Sequence, residues 1–329
     1  QITFLATANY KHQIPEALKD RMEMIEVPGY TRTEKRSIAQ KFLVPKQLKE
    51  HGLEDGQLTF EDAGIETIID YYTHEAGVRG VEREIASVCR EATVRLAEGQ
   101  SVQGERVDRE HVERVLGTHK HDPEVADRRF APGAATGLTV TGAGGDLLVI
   151  EATRMPGKGH VHVTGSMRNV MKEAAATAVS YVRSRADRLM LDPEWLKSID
   201  LHVHVPRGAS AQDAASAGLP MFVAVASLLL GAEARPDVAI TGEITLRGSI
   251  LPVTGIKAKL LAAHRAGIAA VVMPKRNERD LDEIPAETLA DIKILLVSRI
   301  EEVLPLVLAE PDPGKRDRSV PPASGEARP

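Results

Sequence analysis

The longest apolar run in the chain lies in DAASAGLPMFVAVASLLLG, residues 213–231, where a polar hexad leads without a break into a segment closed by Gly231. A run that is apolar on every side and bounded by glycine reads as a buried helix. Ser216 stands at its mouth. There the first-turn amides lack intrahelical partners and the helix dipole favours negative charge, so an oxyanion formed beside the serine would be stabilised. The same position also suits a plain helix cap, supplied by Ser216 or Asp213.

Upstream, residues 32–118 carry apolar positions at three- and four-residue spacing. The segments TRTEKRSIAQKFLVPKQLKEHG, FEDAGIETIIDYYTHEA and GVEREIASVCREATVRLAEG predict helices, with Gly52 and Gly99 ending two of them. Thr59 and Phe60 precede an acidic stretch that reads as a helix start. From Gly137 the period changes. GLTVTGAGGDLLVIEATRMPGKGHVHVTG, residues 137–165, predicts strands broken by glycine turns, and residues 166–189 one long amphipathic helix. LHVHVP (201–206) alternates strictly, which puts His202 and His204 on one face of a strand. DVAIT (237–241), GIAAVVMPKRNERDLDEIP (267–285) and ILLVSRIEEVLPLVLAE (294–310) add a strand, a strand with a helix start, and a strand with a last helix.

Between these blocks, HKHDPEVADRRFAPGAA (119–135) has the polar, Pro and Gly content of a linker. The stretch 309–329 has the Pro, Gly and charge content of a disordered tail. QITFLATAN (1–9) opens the chain on an apolar, β-rich run without an initiator methionine, and is expected to be a buried strand of a longer protein. At 329 residues the chain suggests two or three domains.

Composition narrows the function classes. Aromatic residues make up 3 % of the chain, too few to argue a stacking platform for single-stranded nucleic acid, and the net charge of −5 gives no overall basic footprint. Nucleic acid is not supported. No apolar run reaches the roughly 20 residues needed to span a bilayer. One cysteine, Cys89, excludes an intrachain disulfide and sits where a helix core is expected, fitting a reducing, cytoplasmic setting. His119 and His121 lack further ligands at a metal-site spacing. The phosphate-binding pattern GxxxxGK[ST] is absent. Its nearest likeness, PGKGHVHV at 156–163, reads as a turn between strands, so this stretch alone is not expected to hydrolyse ATP.

A serine nucleophile needs a base within hydrogen-bond reach. His202, His204 or His264 could complete a triad with Asp213, or a lysine could serve. Lys257 and Lys259 are two residues apart in a helical pattern, roughly 200° around the axis, so only one can face the serine.

Taken in order, LHVHVP, DAASAG, TGEITLRG (241–248), LPVTGIKAKLLAAHRAGI (251–268) and VVMPKRNERDL (271–281) resemble the proteolytic domain of the Lon protease family. YYTHEAGVRGVEREIASVCREA (71–92) and ATANYKHQIPEALKDRMEMIEVPGYT (6–31) resemble the AAA+ portion of the same family. The resemblance covers about residues 1–308. It implies a multidomain α/β chain: the end of an AAA+ large subdomain (1–31), an all-α AAA+ small subdomain (32–118), the linker, and an α+β Ser-Lys protease domain (136–308). It puts the nucleophile on Ser216 and the base on Lys259. It gives Thr241 the role of orienting the lysine by a hydrogen bond, Asp213 that of ordering the loop, and His202 and His204 a supporting place near the site. Asn9, Arg21 and Arg79 match the sensor-1, arginine-finger and sensor-2 positions.

The resemblance further implies a homohexameric ring that degrades unfolded or damaged proteins. Peptide hydrolysis needs no cofactor, while the full-length enzyme uses ATP and Mg²⁺. The chain departs from the family pattern at Gln212, Ala214 and Ala215, where Lys-Asp-Gly-Pro is usual before the serine, and at Gly142, where an acidic residue or proline is common. These departures motivate a second reading, a catalytically impaired Lon-like module for substrate binding or assembly.

Overall fold

The computed structural model describes residues 3–8, 14–25, 29–121, 131–141, 144–165, 169–206 and 215–309. The chain forms two compact units, residues 1–122 with 142–144, and residues 123–141 with 145–329.

In the first unit a four-residue helix, α1 (Glu16–Lys19), precedes α2 (Arg32–Ile38). Helix α2 starts in a capping box: the Glu34 amide donates to Thr31 Oγ1 at 3.1 Å and the Thr31 amide to the Glu34 carboxylate at 2.8 Å. Wider π-type turns at 39–43 lead into α3 (Val44–Glu50), followed by β1 (Leu58–Phe60), α4 (Asp62–Thr67), α5 (Arg79–Ala97), β2 (Glu105–Val107) and α6 (Arg109–Leu116). Val81, Ile85, Val88, Cys89 and Ala92 line the buried stripe of α5, at the spacing the sequence shows. Gly52 and Gly99, at φ 69° and 84°, take the left-handed conformation that ends a helix cheaply only at glycine.

Two expectations change here. The unit is not wholly helical: β1 and β2 pair in parallel, with Thr59 opposite Arg106, so Thr59 belongs to a strand and not to a helix start. Three-residue strands are too short to display alternation. Residues 3–8 form no strand with any described residue, and Phe4 and Leu5 lie exposed, so the buried strand expected there is not formed.

Cys89 is fully buried, and burial pushes its thiol pKa up to about 12. The native protein should therefore leave a thiol reagent unreacted at neutral pH. Release of one equivalent of chromophore should appear only on adding denaturant.

The second unit is built on a mixed seven-stranded sheet. Its elements run β3 (Ala134–Thr141), β4 (Gly144–Pro156), β5 (Val161–Gly165), α7 (Asn169–Ser184), α8 (Pro193–Lys197), β6 (Ile199–Val205), α9 (Gly218–Leu230), β7 (Val238–Ile240), β8 (Glu243–Ile244), β9 (Ile250–Leu251), α10 (Ile256–Arg265), β10 (Ala270–Pro274), α11 (Ala286–Asp291), β11 (Lys293–Val297) and α12 (Leu304–Val307). The strand order is β11-β10-β7-β3-β4-β6-β5, and β8 and β9 form a separate hairpin. Strand β7 pairs in parallel with both β3 and β10, while β4 runs antiparallel to β6.

The period-two rule divides the core between the two faces. Val238, Ile240, Ala270 and Val272 join the cluster that holds α7 and α9, whereas Ala239, Val271 and Met273 join the one that holds Ile256, Leu260 and Ala263 of α10. The sheet is thus sandwiched between α7 and α9 on one side and α10 on the other. The glycine turn expected after β4 is present. Asp200 Oδ1 accepts from the Lys158 and His160 amides at 2.8 and 2.7 Å, bonds to the charged form that hold its carboxyl below the usual carboxylate range.

Candidate active site

Helix α9 is apolar all round and buried from Gly218 to Ser227, as its sequence requires, and Gly231 closes it at φ 65°. Its N-cap is Ala217, with no side-chain capping bond, so Ser216 is not the cap of this helix. Ser216 lies one residue earlier, in a single 3₁₀ turn, Ala215–Ala217, that leads into α9. Two reciprocal backbone bonds fix that turn against the end of β7: the Gly242 amide donates to Ser216 O at 3.1 Å and the Leu219 amide to Gly242 O at 2.9 Å. Gly218 and Gly242 permit this approach, since a Cβ on Gly242 would meet Leu219 Cδ2 at 3.0 Å. Ser216 is thereby held one residue from Thr241, which continues β7 and whose amide donates to Val272 O at 3.0 Å.

From the other side of the sheet comes α10. Its buried stripe is Ile256, Lys259, Leu260 and Ala263, so a lysine occupies a core position. Lys259 is 0 % exposed while Lys257 is only partly buried, so the two lysines lie on different faces of α10, as their roughly 200° separation requires. The helix sits close because Gly145 has no side chain: a Cβ there would fall 1.9 Å from Ala258 O and 3.0 Å from the Lys259 amide nitrogen. Arg265 adds a clamp, donating to Gly145 O at 3.0 Å. By strand parity Thr241 shares the face of Ala239, the face that α10 covers. Ser216, Thr241 and Lys259 are each 1 % exposed or less, so the site is sealed in this state.

The hydroxyl of Thr241 makes no hydrogen bond among the described residues, so the bond to the lysine implied by the resemblance is not made here. His202 and His204 do share one face of β6, but their partner is Thr164 on the edge strand β5, whose Oγ1 lies 2.7 Å from His202 Nε2 and 2.8 Å from His204 Nδ1. Strand β6 is three strands from β7, about 14 Å at normal strand spacing. His264 gives its Nε2 to Asp291 at 2.8 Å. None of the three histidines is placed as a base for Ser216 by these bonds. Asp213 and the departures at 212, 214 and 142 lie outside the described residues, as does Asn9. No group of three or more His, Cys, Asp or Glu side chains among the described residues could hold a metal ion.

In the first unit, Arg79 is exposed and opens α5. The carboxylates that a surface ion pair would use are engaged elsewhere: Glu75 Oε1 accepts from the Val81 amide at 3.0 Å, and Glu82 pairs with Lys46 at 2.7 Å. Arg21 is exposed just after α1.

Residues 106–310 match the family model of the Lon protease (S16) C-terminal proteolytic domain, and residues 49–105 that of the Lon protease AAA+ ATPase lid domain. The chain belongs to the Lon protease family. It is 62 % identical to Lon protease 2 of Sorangium cellulosum, over 94 % of this chain and 39 % of that protein. It is 49 % identical to the Lon protease of Dictyoglomus thermophilum, over 94 % of this chain, and 48 % identical to that of Escherichia coli, over 93 %, in each case across 39 % of the relative. This Lon-family chain therefore spans about two fifths of the length of the curated relatives it matches. No helix among its described residues is long and apolar enough to cross a membrane.

The family blocks singled out by sequence, DAASAG and TGEITLRG, meet at the Gly242–Ser216 bond, and Leu219, just after the hexad, adds the second bond to Gly242. Gly145 and Thr164 were missed. The sequence shows Gly145 only as half of a glycine pair, and nothing local marks which of the two lies against α10.

Proposed function

We propose that this chain is the proteolytic part of a Lon-type serine endopeptidase, with Ser216 as nucleophile and Lys259 as base. One observation carries the reading: a lysine with no exposed surface on the apolar stripe of α10, the helix that covers the face of Thr241, next to the Gly242 that bonds the Ser216 turn. A lysine is almost never fully buried when it serves only the surface, so a core position on α10 marks this one for a role inside the fold. In the reaction, Lys259 Nζ takes the Ser216 Oγ proton as Oγ attacks the peptide carbonyl carbon. The proton passes to the leaving amine, and water then hydrolyses the acyl-enzyme. Leu219 has its amide committed to Gly242 O, so the oxyanion donors are the amides of the 3₁₀ turn before it. Thr241, on the face that α10 covers, is the residue that would orient the lysine amine. Asp213 orders the loop before the serine.

The rest of the reading concerns the longer protein. There the first unit is the end of an AAA+ module, with Arg79, Arg21 and Asn9 serving a nucleotide and Mg²⁺ that residues outside this stretch would bind. A homohexameric ring would enclose the serines and admit only unfolded or damaged chains, in the cytoplasm.

A short fluorogenic unstructured peptide, offered without ATP, tests the core of this. Turnover is expected in the parent and absent in Ser216→Ala. Turnover surviving in Ser216→Ala would sink the nucleophile assignment, and a folded parent without turnover would favour the impaired module.

A further inference from the structure

One buried hydroxyl beside the serine is used by nothing described so far. Thr139 of β3 is 1 % exposed, and its Oγ1 has no hydrogen-bond partner among the described residues. Its position follows from two fixed points between β3 and α9. The Gly133 amide donates to Ser227 Oγ at 3.0 Å, and Gly137 packs on Pro220, whose Cγ would lie 3.0 Å from a Cβ there. Four residues along the chain towards β3's end thus match seven residues back along α9, roughly 13 Å against 10.5 Å, so strand and helix run antiparallel. Two residues further, Thr139 stands opposite Ser216 and Ala217.

The face is fixed as well. Leu138 belongs to the core under α10, whereas Ala135 belongs to the core under α9, so Thr139 points to the α9 side. Thr136, whose hydroxyl is also unpaired, has the parity of Leu138 and points the other way. Thr139 is therefore the idle hydroxyl on the side of the nucleophile, sealed in with it.

We propose that Thr139 is a specificity-determining residue whose hydroxyl lines the subsite for the substrate residue that supplies the scissile carbonyl. This rests on Ser216 being the nucleophile. The side chain of that substrate residue begins one atom from the carbon that Ser216 attacks, so it is the substrate side chain brought nearest to the wall opposite Ser216. Any movement that admits substrate to the serine uncovers Thr139 too. A substrate hydroxyl or amide there gives Thr139 Oγ1 the partner it lacks, and an apolar isostere leaves it unpaired in a dry pocket. The enzyme then favours a hydrogen-bonding side chain over an apolar one of equal shape.

The test uses two fluorogenic peptides that differ only in threonine or valine at the position supplying the scissile carbonyl, with the parent, Thr139→Val and Thr139→Ser. Valine keeps the shape and the β-branched fit to the strand, and serine keeps the hydroxyl. The parent should favour the threonine peptide by roughly two- to tenfold in kcat/KM, the worth of one net hydrogen bond. Thr139→Val should bring the ratio near one, and Thr139→Ser should keep it. A parent without preference, or a ratio unchanged in a folded Thr139→Val, overturns the subsite while leaving Ser216 in place. A parent that cleaves neither peptide defeats the nucleophile reading and the subsite with it.

Discussion

Lys259→Met lowers peptide hydrolysis by about 10²- to 10⁴-fold, as expected for loss of a general base, while the protein stays folded. Lys259 is 0 % exposed on the stripe that Ile256, Leu260 and Ala263 bury against the sheet. Methionine nearly matches its length and keeps the apolar stripe of α10 filled, so the variant should still fold, and the loss of activity is read per folded molecule. A structural lysine would show activity kept in proportion to the folded fraction. The pair of measurements is kcat/KM on a short peptide and a thermal melt. A folded, fully active Lys259→Met would remove the lysine from the mechanism.

The second large effect is expected at a residue with no chemistry of its own. Gly145→Ala places a methyl 1.9 Å from Ala258 O, a backbone atom of α10 that cannot swing aside as a side chain can. Either β4 or α10 must shift, at roughly 1–3 kcal/mol of stability, and the Lys259 amine moves with its helix. Peptide hydrolysis should fall by more than the folded fraction accounts for, since a displacement near 1 Å at a catalytic group costs about 10²-fold. Gly77→Ala is the control, because nothing lies within 4 Å of a Cβ there. Equal activity per folded molecule in Gly145→Ala and parent would show that α10 tolerates the shift.

Long periodic segments were legible in the sequence because their burial repeats. The alternation of LHVHVP puts Leu201, Val203 and Val205 in the core and His202 and His204 on the opposite face, as β6 shows. The all-apolar run after Ser216 is α9, closed at Gly231. Short or non-local features were not legible. Strands β1 and β2 are three residues each and pair across more than forty residues of chain, so no local pattern announces them. Helix α7 stops at Ser184, short of the apolar pattern that continues to Leu189 as a 3₁₀ turn. At the site, the sequence supplied Ser216 and Lys259 through family blocks. The sealing of both, the Gly242 staples and the idle hydroxyls of Thr139 and Thr241 arise from segments far apart in the chain, and only packing reveals them.

The absence of exposed surface on Ser216 also bears on how reaction rates are to be read. For a serine with the role proposed for Ser216, lack of exposed surface means that every ligand competes with closure, so an apparent dissociation constant is the intrinsic one divided by the open fraction. An open state at about one per cent would weaken binding a hundredfold with no change in any contact. Saturating a small serine-directed probe would then report the frequency of opening and not the reactivity of the hydroxyl. Anything that holds the turn at residues 215–217 open, whether a neighbouring subunit or the substrate itself, would act as an activator without touching the chemistry.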